Sequence, residues 1–246
     1  AKLLVDRRGP GLRTLDDTGR WQVSPDPLPT FESMMTEYVD PRAAPEMVAM
    51  RARLRSWRFY DHFRSDLDAP ARRPQIGTYT PILADDGADL AAALQTIRFV
   101  GEAAGLDEAI ADAFPGSRVE ILNDTARFDL SLRQPGMLRP LGVAELSDGT
   151  LRYLLLTAAL LSPRPPELLV LNEPETSLHP DLVPALARLI GHASRRAQII
   201  VVTHSTALMT HLDEADPVRI HLDKDLGETT TGDDLLARPA WHWPPR

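Results

Sequence analysis

The chain has 246 residues, with 27 Lys and Arg against 35 Asp and Glu, a net charge of −8, 43% hydrophobic and 25% charged residues, and no cysteine. This composition is ordinary for a globular domain, gives no overall electrostatic signature of nucleic-acid binding, and contains no apolar run near the roughly 18–20 residues that cross a bilayer. Disulfides and thiolate metal sites are excluded, and with no signal-peptide pattern at the start a cytoplasmic, membrane-free protein is expected.

Residues 1–24 read as short strands broken at Gly9-Pro10-Gly11 and Asp16-Asp17-Thr18-Gly19, followed by a linker carrying Pro25, Pro27 and Pro29. Helices are predicted over 30–38 and 45–56, extended chain over 58–63, and a loop over 64–84. An amphipathic helix follows over 89–100, with Leu90, Ala93, Leu94 and Ile97 at helical spacing, and another over 106–113 that stops at Pro115-Gly116. Residues 119–122 and 127–132 alternate like two strands around the turn Asn123-Asp124-Thr125. The character then changes: helix 150–161, strand 167–171, helix 181–194, strand 198–203, helix 205–212 and strand 218–222 follow in order. Short, wholly apolar strands alternating with helices predict a parallel sheet covered on both faces. The chain thus divides into a β-rich segment 1–28, a mixed α+β insertion 29–140, and an α/β lobe 141–246.

Three segments of the last lobe carry chemistry. Ser147 precedes an apolar helix as its N-cap, with Asp148 and Gly149 in the first turn. Free N–H groups and the positive dipole end there make an anion site, and Gly149 would allow a phosphate close to the backbone. An ordinary capped helix would show the same local pattern. The strand Leu168–Leu171 ends in Asn172 and Glu173, at the edge where open α/β sheets bind ligands, and a glutamate there can position a water for attack on a phosphate. His204 follows the next strand, where an imidazole can hydrogen-bond developing charge.

The order Leu146-Ser147-Asp148-Gly149-Thr150, Leu168–Glu173, Ser177-Leu178-His179-Pro180 and Thr203-His204-Ser205 resembles the signature motif, Walker B strand, D-loop and switch histidine of the cassette (ABC-type) ATPases. Glu173-Pro174-Glu175-Thr176-Ser177-Leu178-His179-Pro180 is similar to the RecF/SMC/OLD branch, and the chain resembles bacterial AAA-family ATPases of that branch. The resemblance implies an incomplete P-loop NTPase fold, a parallel sheet flanked by helices with a mixed α+β insertion, using ATP and Mg²⁺. It implies Glu173 as catalytic base and His204 as phosphate sensor. Ser147, Asp148, Gly149, Asn172, Ser177 and His179 would be nucleotide-site residues, with Asn172 meeting the metal through bound water. It further implies an ATP-dependent homodimer in DNA repair, DNA maintenance or phage defence.

The chain departs from that pattern at two points. Asn172 stands where the family carries an aspartate, and the sequence has no Gly-Lys pair with which a P-loop ends. Because Ala1 opens inside strand-like sequence, the phosphate-cradling lobe is expected to lie outside these residues, leaving the chain by itself inactive. The alternative expectation is a non-catalytic regulatory or interaction protein on a degenerate ATPase scaffold. A glutamine for the Q-loop is unassigned, with Gln22 and Gln75 as candidates. Arg51, Arg53, Arg55, Arg58, Arg64, Arg72 and Arg73, interleaved with Trp57, Phe59, Tyr60 and Phe63, form a candidate DNA surface.

Overall fold

A computed structural model of the chain describes residues 5–16, 18–24, 26–37, 44–124, 126–225 and 228–231. The likeness in the sequence around Trp241-His242-Trp243-Pro244 lies outside the described residues.

Strands β1 (Val5–Arg8), β2 (Gly11–Leu15) and β3 (Trp21–Val23) form an antiparallel meander, turned at Gly9 with φ of 58°. Val5, Leu12 and Ala44 make a small core of their own, against which Met34 and Met47 pack. Helix α1 is one turn, Met34–Glu37, shorter than the predicted 30–38. Helix α2 (Pro45–Ser56) starts on Pro45 and buries no residue. Its apolar residues do not gather on one face, so propensity and Pro45 at the first turn define it more than packing does.

Strand β4 (Arg58–Tyr60) leaves α2 directly. A loop with a single 3₁₀ turn at Pro70–Arg72 leads to β5 (Gln75–Ile76). Helices α3 (Leu90–Val100) and α4 (Ala103–Ala113) follow; α4 starts a turn earlier than its pattern predicts. Strands β6 (Arg118–Asp124) and β7 (Arg127–Arg133) form the expected hairpin, flanked on β7 by β5 and by β8 (Leu141–Gly142).

The α/β lobe consists of α5 (Asp148–Leu160), β9 (Leu168–Asn172), α6 (Val183–Ala193), β10 (Gln198–Val202) and α7 (Thr206–Leu212). Every residue of α5 from Leu151 to Leu160 is buried. The helix packs on α3 and α6, so the insertion and the α/β lobe share one core. Burying a helix all round needs apolar residues all round, and the run of Leu154, Leu155, Leu156, Ala158 and Ala159 supplies them.

The parallel sheet has the order β10-β9-β4. Its third strand therefore comes from residues 58–60, far upstream in the chain. One face, with Tyr60, Leu169, Leu171, Ile199 and Val201, packs into the main core. On the other face Phe59, Ile200 and Val202 are 57%, 43% and 48% exposed, where the sequence pattern predicts helices on both sides. Alternation explains the sidedness, since successive strand residues point to opposite faces. Of the strand predicted over 218–222, residues 218–221 form none; β11 (Leu222–Asp225) begins four residues later and pairs with β12 (Glu228–Thr231), in a sheet separate from the parallel one. Pro217 and the acidic run before it, ending in left-handed Asp216, deflect the chain there. Among the described residues no helix is long and apolar enough to cross a membrane.

Candidate functional site at the carboxyl end of the parallel sheet

The three parallel strands end side by side. Their registers place Tyr60 opposite Leu171 and Val202 opposite Asn172, so Asp61, Asn172-Glu173 and Thr203-His204 emerge together. Glu173 leaves the strand with φ of 44°, in the left-handed region that non-glycine residues rarely occupy. Its N–H donates to Val202 O at 2.7 Å, and Arg152 Nη2 donates to its carbonyl at 3.2 Å. These two bonds hold a backbone turn that would otherwise relax.

The turn aims the side chain at the next strand end. Glu173 Oε1 lies 3.2 Å from His204 Nδ1, and Thr176 Oγ1 is 3.4 Å from Oε2. Both partners remain reachable, with side-chain exposures of 47% for Glu173 and 77% for His204. The two residues singled out for catalysis are thus brought together, across 31 positions of sequence. The carboxylate can orient a water or take its proton, and the imidazole can hold the carboxylate or donate to a phosphate.

Sequence reading missed a second layer behind this pair. Arg152 is 2% exposed in the middle of α5; Nη1 lies 3.3 Å from His62 Nδ1, and Nε is buried without a partner. Burial pushes the guanidinium pKa down, while the charges of Glu175 and Glu173 push it up. Thr203 Oγ1 donates to Glu175 Oε1 at 2.5 Å, leaving Glu175 Oε2 buried and unpaired. The available signal was an arginine inside an unbroken apolar helix, since such a charge needs fixed partners.

Ser147 caps α5 as expected: its Oγ accepts from Thr150 N at 3.2 Å. Asp148 Oδ1 accepts from Arg72 Nη2 at 2.8 Å. Gly149 also meets a packing demand that the sequence did not show. A Cβ there would lie 2.8 Å from Ser177 O and 3.8 Å from His179 N. Glycine lets the start of α5 seat against the 177–179 turn, where Ser177 itself has φ of 66°. Gly149→Ala should cost about 1–3 kcal/mol from forced overpacking. Urea denaturation checks this; an unchanged midpoint would mean the turn moves freely away from α5.

His179 faces its own turn, with Nδ1 3.3 Å from Asp181 N. Neither candidate Q-loop residue reaches the strand ends: Gln22 Nε2 donates to Asp16 Oδ2 at 3.0 Å, and the buried Gln75 accepts from Ala91 N at 2.7 Å. Of the arginine group, Arg72 is only 6% exposed, so it is not a DNA-contacting residue. Arg53 pairs with Glu167 at 2.6 Å and Arg64 with Asp66 at 2.8 Å. Tyr60 and Phe63 are buried against each other at 4.9 Å. Arg55, Arg73 and Phe59 stay exposed. A cleft of about 560 Å³ lined by Arg64, Arg73, Gln75 and Asp89 shares no residue with the strand-end site.

No curated protein sequence matches the chain. Among solved structures, one titled "Crystal structure of the SmcHead bound to the C-winged helix domain of ScpA" superposes with a TM-score of 0.51 at 13% identity, covering 90% of this chain and 66% of that one. A structure from a study of ATP-driven dimerization and DNA-stimulated activation of SMC ATPases gives 0.45 at 17% identity, covering 56% and 84%. An Smc head domain with coiled coil and joint from Pyrococcus yayanosii gives 0.46 at 18%, and the match spans 56% of this chain but only 27% of that one. The first of these shows the fold, that of an SMC ATPase head. A family model described as "AAA domain, putative AbiEii toxin, Type IV TA system" matches residues 37–210, spanning β4, α5, β9 and β10 with every residue of the strand-end site, and the chain belongs to that AAA-domain family.

Proposed function

We propose that the chain forms the hydrolytic half of an ATP site. The observation that carries this reading is the Glu173–His204 pair at the carboxyl end of the parallel sheet, with Glu173 held in left-handed backbone by buried Arg152. Glu173 acts as general base or water-positioner on the γ-phosphate, and His204 fixes the carboxylate and meets the transferred phosphate. Phosphoryl transfer needs little covalent chemistry from protein, so two positioned side chains are sufficient on this side.

The residues fit Mg²⁺-ATP. Among the described residues no group of three His, Asp or Glu could hold a metal ion alone. Mg²⁺ is commonly held by one or two carboxylates, water and substrate phosphates, so a sparse site suits it. Asn172 and Glu173 would face the ion and its waters; when bound, the ion neutralises phosphate charge. The cradle for the other phosphates is supplied from outside these residues, which contain no Gly-Lys pair. The exposed face with Phe59, Ile200 and Val202 is the surface on which such a lobe would seat.

Ser147 and Asp148 are exposed at the start of α5, whose N-terminal turn is the positive end of the helix dipole. We assign them to the nucleotide of a second subunit, giving an ATP-dependent homodimer. Sedimentation of the full-length protein carrying Glu173→Gln checks this. Mg²⁺-ATP should shift it from monomer to dimer, and adding Ser147→Arg should abolish the shift. A protein that stays monomeric with saturating ATP would refute the dimer. A DNA-linked task would draw on Arg55, Arg73 and Phe59, with binding that weakens steeply as salt rises.

A further inference from the structure

We propose that Asp61 supplies the carboxylate that Asn172 lacks, so that the two side chains act as one metal-facing unit with a single negative charge. The inference rests on the nucleotide-site reading above, and extends it to a residue on a different strand.

The register between β4 and β9 pairs Tyr60 with Leu171, so the next residue of each strand, Asp61 and Asn172, stands side by side at the sheet's carboxyl edge. Asn172 Nδ2 donates to Asp61 Oδ1 at 2.5 Å. That bond uses the donor end of the amide. Asn172 Oδ1 and Asp61 Oδ2 are left as the acceptors of the pair, and metal-bound water needs acceptors. Asn172 is half-buried and Asp61 exposed, so the pair can be reached from solvent.

Charge explains why the pair is mixed. An asparagine at 172 accepts hydrogen bonds but brings no charge to a divalent ion. With aspartate at both positions, two carboxylates this close would repel each other until a cation offset their charge. One amide and one carboxylate give a single negative charge, carried by Asp61 on one strand and oriented by Asn172 on another, 111 positions away in sequence. The amide's role is to orient Asp61 as well as to accept from water.

If the pair is one unit, the charge can be moved within it. The test uses the full-length protein with ATP and Mn²⁺ as the Mg²⁺ probe, reading free Mn²⁺ by electron paramagnetic resonance and nucleotide affinity separately in EDTA. Asp61→Asn should weaken Mn²⁺ uptake by about tenfold or more, the scale on which residues orienting a metal site act. Nucleotide affinity in EDTA should be unchanged, which also shows that the variant is folded. The swapped double variant Asp61→Asn/Asn172→Asp should recover most of the lost Mn²⁺ affinity. Wild-type uptake in Asp61→Asn, or no recovery in the double variant, would overturn the proposal while leaving the nucleotide reading intact. Should the wild-type protein bind neither ATP nor Mn²⁺ with it, the nucleotide reading itself fails.

Discussion

Glu173→Gln is expected to lower ATP turnover of the full-length protein by about 10²–10⁴-fold, the range associated with losing a positioned general base. Glutamine keeps the shape of the side chain and can still lie beside His204. It cannot take a proton, and it cannot attract the hydrogens of an attacking water as a carboxylate does. The backbone turn should survive, because its two supports are main-chain contacts: Glu173 N to Val202 O, and Arg152 Nη2 to Glu173 O. Nucleotide affinity should therefore change little, and the loss should fall on turnover alone. Steady-state hydrolysis beside equilibrium binding of a fluorescent ATP analogue separates the two. Near-normal turnover in the variant would remove Glu173 from the chemistry and favour the non-catalytic scaffold. Loss of binding in parallel with turnover would instead show that the turn had collapsed.

Arg72→Ala should destabilise the fold by about 3–5 kcal/mol, because it strips the donor from several inward-facing main-chain carbonyls. Arg72 Nε and Nη2 reach Ser65 O at 3.0 and 2.8 Å, and Nη1 reaches Val143 O and Leu146 O at 3.2 and 2.7 Å. Nη2 also pairs with Asp148, in the first turn of α5. One planar guanidinium thereby ties the 65–66 loop to the segment that ends in the Ser147 cap. Alanine would leave several inward-facing carbonyls without donors, each costing about 1–3 kcal/mol where water cannot enter. Lysine should not restore the loss, since an ammonium cannot reproduce the forked geometry. Urea denaturation is the measurement. A fall below about 1 kcal/mol, the scale of an exposed pair, would mean that the network opens to solvent.

Arg72 also shows how sequence reading goes astray. In sequence it is one of seven arginines among aromatics, the pattern of a nucleic-acid surface. In the fold it is the hub of a carbonyl cluster, while Tyr60 and Phe63 are core. Composition records that a charge is present; only packing says whether it meets solvent or main-chain oxygens. Gly149 teaches the same point, because a missing side chain is legible but the atom occupying its space, Ser177 O, is not.

What the sequence by itself determined is local. The apolar run ending at Asn172-Glu173, the Ser147 cap and the strand–His204 unit are each read from periodicity and capping within a dozen residues, and each stands where expected. Their order was enough to indicate the ATPase fold. Tertiary structure alone decided which strand flanks β9 and in what register. That choice puts Asp61 against Asn172, sets Glu173 on His204 and leaves Phe59, Ile200 and Val202 uncovered. Strand pairing is made by backbone groups common to every residue, so side-chain identity specifies it weakly until both faces of the sheet have found what covers them.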